Sequence, residues 1–268
     1  MLGSPPEGCP ERPLIQQRCI QLLPSLRLQG LLAVERLAQR MPQGSWEMPP
    51  VLVVATEGRG QDWLEGVEAG MARLEQPPPW VVRWDGKGPL ETVKAEVLRV
   101  KPRWILFEGE LDGLRKLSAS LGALKAATPG GLGIFWSGTV PDGAGNVGPF
   151  ELPVVFHWAG GLAEETLTRG RAWISAQVGL ALVLEGLRGA GAQVTAGRLV
   201  GALEQLRRFP VPEGEPVTLG ARRHQAWRGG WLLGWKATSD ASALEGSAPP
   251  ARVAGWLEAT GWLEATAE

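Results

Sequence analysis

The residues that could do chemistry are few, and most of them are acids and hydroxyls. A hydrolytic triad needs a nucleophile, a base and an orienting group, but the chain has two histidines and no G-x-S-x-G elbow. His157 ends the apolar run Val154-Val-Phe-His157 and reads as a hydrogen-bonded core histidine. His224 lies in the polar stretch Ala-Arg-Arg-His-Gln and reads as exposed. Cys9 and Cys19 have no C-x-x-C partner and read as free thiols, with a disulfide between them the geometric alternative, and no H-x-x-x-H is present, so neither a metal nor a cofactor is expected. Glu57-Gly-Arg-Gly60 lacks the third glycine of the dinucleotide fingerprint and the GK[ST] of a phosphate loop. Glu108, Glu110 and Asp112 could supply a carboxylate pair, although acids after a strand also serve as solvated charges at a helix N-terminus. What remains is a set suited to holding rather than transforming a ligand: Thr56, Glu57, Glu108, Ser137 and Thr139. Their hydroxyls and carboxylates would accept and donate hydrogen bonds to a small polar molecule, and Glu108 would suit an ammonium or amide. No catalytic residue is expected.

These residues recur at one kind of place, just after short apolar runs. The runs begin at about 51, 80, 104, 132 and 154, and each reads as a buried strand. Between them lie helical stripes: Trp63, Val67, Gly70, Met71 and Leu74; Leu90, Val93, Val97 and Val100; Leu114, Leu117, Leu121 and Leu124. A further stripe, Leu28 to Met41, precedes the first strand and is stopped by Pro42. Strands spaced by one helix each predict βαβ units and a doubly wound parallel sheet covered on both faces. Ligands of such sheets lie beyond the carboxyl ends of the strands, and the five residues are delivered to that edge. Residues 140–149 are rich in glycine and turn formers and read as a loop.

After His157 the rhythm changes. Trp173, Ala176, Leu180, Val183, Leu184 and Leu187 share one face of a long helix that fades at Gly189-Ala-Gly191. Thr195 is placed to cap a second helix with Leu199, Leu203 and Leu206 facing inward. Residues 216–219 and 230–235 read as two strands joined by a turn. From Ala237 the composition becomes that of a linker or loose tail, ending in Gly-Trp-Leu-Glu-Ala-Thr at 255–260 and again at 261–266. Two copies are too few for a solenoid, and six residues turn a helix by roughly 240°, so the duplication reads as incidental.

Composition narrows the classes further. With 268 residues, 44% apolar and 21% charged, the chain has the proportions of a folded domain rather than a disordered one. Twenty-seven basic against 28 acidic residues argue against nucleic-acid binding, which needs a basic surface. No apolar run approaches the ~20 residues that span a bilayer. The 13 tryptophans, beside no tyrosine, read as core aromatics rather than as a platform for sugars or bases. The prolines at 5, 6, 10 and 13 do not form a secretory signal peptide.

The segment 173–191, Trp-Ile-Ser-Ala-Gln-Val-Gly-Leu-Ala-Leu-Val-Leu-Glu-Gly-Leu-Arg-Gly-Ala-Gly, resembles a helix of the type I periplasmic binding proteins, in particular the branched-chain amino-acid receptor group. Residues 195–209 resemble the helix that follows it, and Pro216 to Gln225 with the Trp/Leu strand after it resembles their closing hairpin. Leu22-Leu-Pro-Ser25, Gln29-Gly30 and Gly60-Gln-Asp-Trp-Leu-Glu-Gly66 follow the same order, so the resemblance covers about 20–236. It implies a periplasmic-binding-protein-like fold with one complete lobe and part of a second. The first lobe is mostly lacking, together with its ligand-holding Ser/Thr loop. The aromatic expected after the first strand is replaced by Gly58-Arg-Gly60, and Glu108 and Asp112 lie near the family's acidic ligand contact.

The domain plan that follows has a lead-in segment at 1–44, an α/β lobe at 45–157, returning helices and a hairpin at 158–236, and a flexible tail at 237–268. The function implied is an extracytoplasmic, non-catalytic receptor for an amino acid or amide that serves an ABC permease, without cofactor or nucleic acid. Two rivals stand beside it. One is an interaction module that pairs with a second chain through the apolar face of 173–188, or a degenerate remnant with no ligand. The other is a small-molecule enzyme on the same sheet that uses His157 or Glu108. An absent N-terminal portion would explain both the missing half-lobe and the missing export signal.

Overall fold

The computed structural model describes residues 20–39, 50–55, 60–84, 86–125, 131–137, 150–158, 164–212, 214–221, 226–227, 229–235 and 251–258, with backbone alone for 164–171 and 251–258. The chain divides into two compact units, residues 25–158 with 231–268 and residues 1–24 with 159–230.

The larger unit begins with α1 (Leu26–Gln39), then alternates: β1 (Val51–Ala55), α2 (Gly60–Arg73), β2 (Trp80–Arg83), α3 (Glu91–Val100), β3 (Trp104–Glu108), α4 (Leu111–Gly122), β4 (Gly133–Trp136) and β5 (Val154–Trp158). The five strands lie in the order β2-β1-β3-β4-β5, and every pair among them is parallel. The expected doubly wound sheet is therefore present. Its strands read as unbroken apolar runs because β1, β4 and β5 are buried at every residue, as a sheet covered on both sides requires.

One face carries Val51, Val53, Ala55, Leu106, Phe135 and Val155, packed under Ala33, Val34 and Leu37 of α1 and Trp63, Val67 and Met71 of α2. The other face carries Phe107, whose ring end would lie 3.1 Å from a Cβ added at Gly113 of α4. Helix α1 clusters with this unit. Six of the ten tryptophans with described side chains serve as core aromatics: Trp63, Trp84, Trp136, Trp158, Trp227 and Trp235 are buried.

The sheet continues beyond β5. Strand β6 (Gly229–Trp235) pairs antiparallel with β5, from Val154↔Trp235 to Trp158↔Trp231. The expected hairpin between 216–219 and 230–235 does not form, since Val217 instead bridges Phe209 with two 2.8 Å backbone bonds. The reason is that β5 offers an open edge with a matching apolar face, whereas 216–219 can pair only briefly. Residues expected to be a loose tail include β7 (Ala251–Glu258), which takes the place next to β6. The Ser, Gly and Pro of 237–250 obscured this short strand. The first hexapeptide copy overlaps β7, and the second lies outside the described residues.

In the smaller unit, α5 (Glu164–Ala190) and α6 (Ala196–Leu203) pack through glycines. A Cβ at Gly186 would lie 2.8 Å from Leu199 Cδ1, and one at Gly189 would lie 2.8 Å from Ala202 Cβ. Thr195 caps α6 as expected, its hydroxyl accepting from Arg198 N at 3.3 Å. The buried side of α5 is Ile174, Val178, Leu182 and Ala190, offset from the apolar stripe read from the sequence. The two glycines admit α6 on that side, and Leu180, Leu184 and Leu187 are left 56%, 50% and 39% exposed. No described helix is long and apolar enough to cross a membrane.

Candidate functional site

The strand order reverses between β1 and β3. From β1 the chain crosses through α2 to β2 on one side, and from β2 through α3 to β3 on the other. In open α/β sheets this is where a crevice opens outside the carboxyl ends of the strands. Of the five expected residues, Glu108 and Ser137 are described at this edge, while Thr56, Glu57 and Thr139 lie outside the described residues.

Glu108 is the last residue of β3 and sits opposite Ala55 of β1. It shares the face of Leu106 and Ala55, under α1 and α2, and is 6% exposed. A Cβ added to Gly60, the first residue of α2, would lie 3.2 Å from Glu108 Oε2 and 2.9 Å from Ala55 Cβ. The carboxylate is therefore lodged against the N-terminal end of α2, where unsatisfied N–H groups and the helix dipole favour negative charge. Glycine at position 60 is what permits this approach.

Ser137 follows β4 and is 4% exposed. Its N–H donates to the Phe107 carbonyl at 3.0 Å, extending the ladder, and its Oγ faces the same oxygen at 3.5 Å. Phe107 is opposite Trp136, and Trp136 is opposite Phe156. One residue further along, Glu108, Ser137 and His157 stand side by side across three strands. His157 is 4% exposed, with its ring 5.0 Å from that of Phe135. Its burial fits a core histidine, and the register adds that it stands in a row with the other two. The row is set by the register between parallel strands, which the pattern along any one strand does not carry. Ser137 Oγ is turned to a backbone carbonyl, an arrangement that does not activate a nucleophile.

Beside the row, Trp136 Nε1 donates to the Gly109 carbonyl at 2.8 Å. Glu110 is exposed at the N-cap of α4 without a side-chain capping bond, and Asp112 in the first turn pairs with Arg115 at 3.2 Å. Both are solvated helix-terminal charges, so Asp112 is not part of the buried row. Among the described residues no three His, Cys, Asp or Glu side chains converge as metal ligands would.

No family model matches the sequence, and no curated protein matches it. Solved structures do match in fold. The fatty acid ABC transporter substrate-binding protein of Thermomonospora curvata aligns over 93% of this chain and 68% of its own, at 13% identity and a TM-score of 0.63. A branched-chain amino acid ABC transporter protein of Thermus thermophilus with bound valine aligns over 90% and 67%, at 10% identity and 0.64. A solute-binding protein of an ABC transporter from Rhodopseudomonas palustris HaA2, in complex with p-hydroxybenzoic acid, aligns over 90% and 67%, at 13% identity and 0.62. The chain thus spans about two thirds of the length of the structures it matches. Their ligands differ in charge and shape, so the shared architecture does not select one. The fold of this chain is that of the type I periplasmic binding proteins.

Proposed function

We propose that the chain is a non-catalytic solute-binding protein that holds an amino acid or small amide by its nitrogen end and passes it to an ABC permease outside the cytoplasmic membrane. The observation that carries this reading is the buried Glu108 carboxylate at the sheet's switch point, with Ser137 beside it. A carboxylate in a low-dielectric edge is a strong acceptor for an ammonium or amide N–H. It also repels an acid head group, which sets this edge apart from a pocket for fatty acids or hydroxybenzoates. The likeness to ABC transporter substrate-binding proteins supports the proposed transport partner and location. The test is a thermal-shift screen against the standard amino acids and short amides. A ligand at 100 times its Kd stabilises by about 2.7 kcal/mol, and E108Q should abolish that shift. Flat melts across the whole panel would reject the reading.

A second reading is favoured by the leucine stripe of α5. Three exposed leucines at helical spacing suit self-association. Concentration-dependent sedimentation that is abolished by L180K/L184K, with no ligand shift, would select it.

A further inference from the structure

We infer that Trp136 is a positioning residue for the Glu108 carboxylate and acts through the Gly109 peptide. The inference rests on the reading of Glu108 as the ligand-holding group. The backbone of Glu108 is fixed from both sides. Before it, the Phe107 carbonyl accepts the Ser137 N–H at 3.0 Å. After it, the Gly109 carbonyl accepts the buried indole N–H of Trp136 at 2.8 Å. The turn is also pressed onto the Phe107 ring, since a Cβ at Gly109 would lie 2.9 Å from Phe107 Cε2.

Trp136 is itself held in place. Its ring meets Phe156 edge-on at 6.2 Å, and Phe156 stacks on Trp235 at 4.8 Å. Neighbouring positions along a strand point to opposite faces, so Trp136 lies on the face opposite Ser137 and Glu108. It acts on the carboxylate through the peptide and not by touching what the carboxylate holds. Phenylalanine at 136 would keep most of the packing and lose the donor. The Gly109 carbonyl would then be buried without its partner, a penalty the turn can relieve only by rotating. The carbonyl lies one peptide beyond Glu108, so its rotation reaches the Glu108 side chain by loosening the turn that fixes the end of β3.

Trp235 supplies the control. It sits in the same aromatic row, yet its Nε1 is buried with no hydrogen-bond partner among the described residues. W235F therefore removes the same atoms without breaking a bond.

The experiment follows the Glu108 side-chain carboxyl resonance by NMR and amide exchange over residues 109–113, in ligand-free protein. W136F should move the resonance and speed exchange there on the order of tenfold beyond any change in global unfolding, the equivalent of one lost buried hydrogen bond. W235F should do neither. Equal responses from the two variants, or an unmoved Glu108 resonance in W136F, would overturn the inference. If W136F does not fold, E108Q gives the reciprocal reading. The Trp136 indole N–H resonance should shift while that of Trp235 stays, and an unmoved Trp136 signal refutes the coupling. Because neither readout uses a ligand, a chain that binds no amino acid would sink the binding proposal and leave this test standing.

Discussion

Gly66 of α2 and Arg27 of α1 meet backbone to backbone: a Cβ at Gly66 would fall 2.7 Å from the Arg27 carbonyl carbon. The contact is reciprocal, since a Cβ at Gly30 of α1 would lie 2.9 Å from Val67 N of α2. The obstacle in both cases is backbone, which cannot turn aside as a side chain can. This crossing seats α2 on the sheet and so sets where its first residue, Gly60, meets Glu108. G66A should cost about 3 kcal/mol or more by overpacking, seen as a lower denaturant midpoint at unchanged slope.

Gly201 in α6 offers the opposite case, with nothing within 4 Å of an added Cβ. There the substitution to alanine only improves helix propensity. G201A should raise the stability of its unit by about 0.5–1 kcal/mol, measured by the same denaturation or by hydrogen exchange in α6. A loss would mean that the position has a neighbour.

These two glycines look alike in the sequence, which shows where its legibility stops. The strands were readable because burial on both faces writes them as short apolar runs, and Glu108 and Ser137 were readable because they follow such runs. Which side of α5 is buried was not, because leucines line one side while the close approach of α6 is set by Gly186 and Gly189 on the other. The antiparallel place of β6 was equally hidden, since an edge strand takes the partner that three-dimensional closure leaves open. The alignment of Glu108, Ser137 and His157 depends on parallel register, which a periodic pattern along one strand does not encode.

Ser118 of α4 ties the helix to the segment before β5. Its fully buried hydroxyl oxygen accepts the N–H groups of Glu151 at 2.9 Å and Leu152 at 3.1 Å. S118A would leave two backbone donors without an acceptor, at about 1–3 kcal/mol each before relaxation. The expected result is a drop in the denaturation midpoint with faster exchange at those two amides. Unchanged exchange at both would contradict it.

Glu35 of α1 faces Arg73 of α2 at 3.1 Å, and burial nonetheless raises its pKa above the ordinary carboxyl value, outweighing the attraction of Arg73 and Arg36. The folded protein therefore holds this proton more tightly than the unfolded chain does. Its contribution to stability is fully present below the unfolded pKa of 4.5 and is lost as pH rises through the folded value. E35Q, a neutral isostere, should remove that part of the pH dependence. At neutral pH it should be neutral or stabilising by less than about 1 kcal/mol, since Arg73 is half exposed and its ion pair is weak. Denaturant midpoints of the two proteins from acid to neutral pH give the comparison, and parallel curves would refute the assignment.

Glu108 stands at the N-terminal end of α2, so its charge should stabilise that helix in the ligand-free protein, an effect separable from ligand binding. Its carboxylate is within reach of Gly60, the first residue of the helix. E108A removes the anion and leaves room at a helix end that favours negative charge, an effect worth about 1 kcal/mol. The variant should melt lower than the wild type. Acetate should then recover part of the loss when compared with chloride at matched ionic strength, because a small carboxylate can enter the space that the side chain left. The wild type should show no such preference, its own carboxylate already being in place. E108Q should fall between, since it keeps the side chain's volume and an acceptor oxygen but not the charge. An E108A variant as stable as the wild type and indifferent to acetate would mean that the carboxylate does not stabilise the helix.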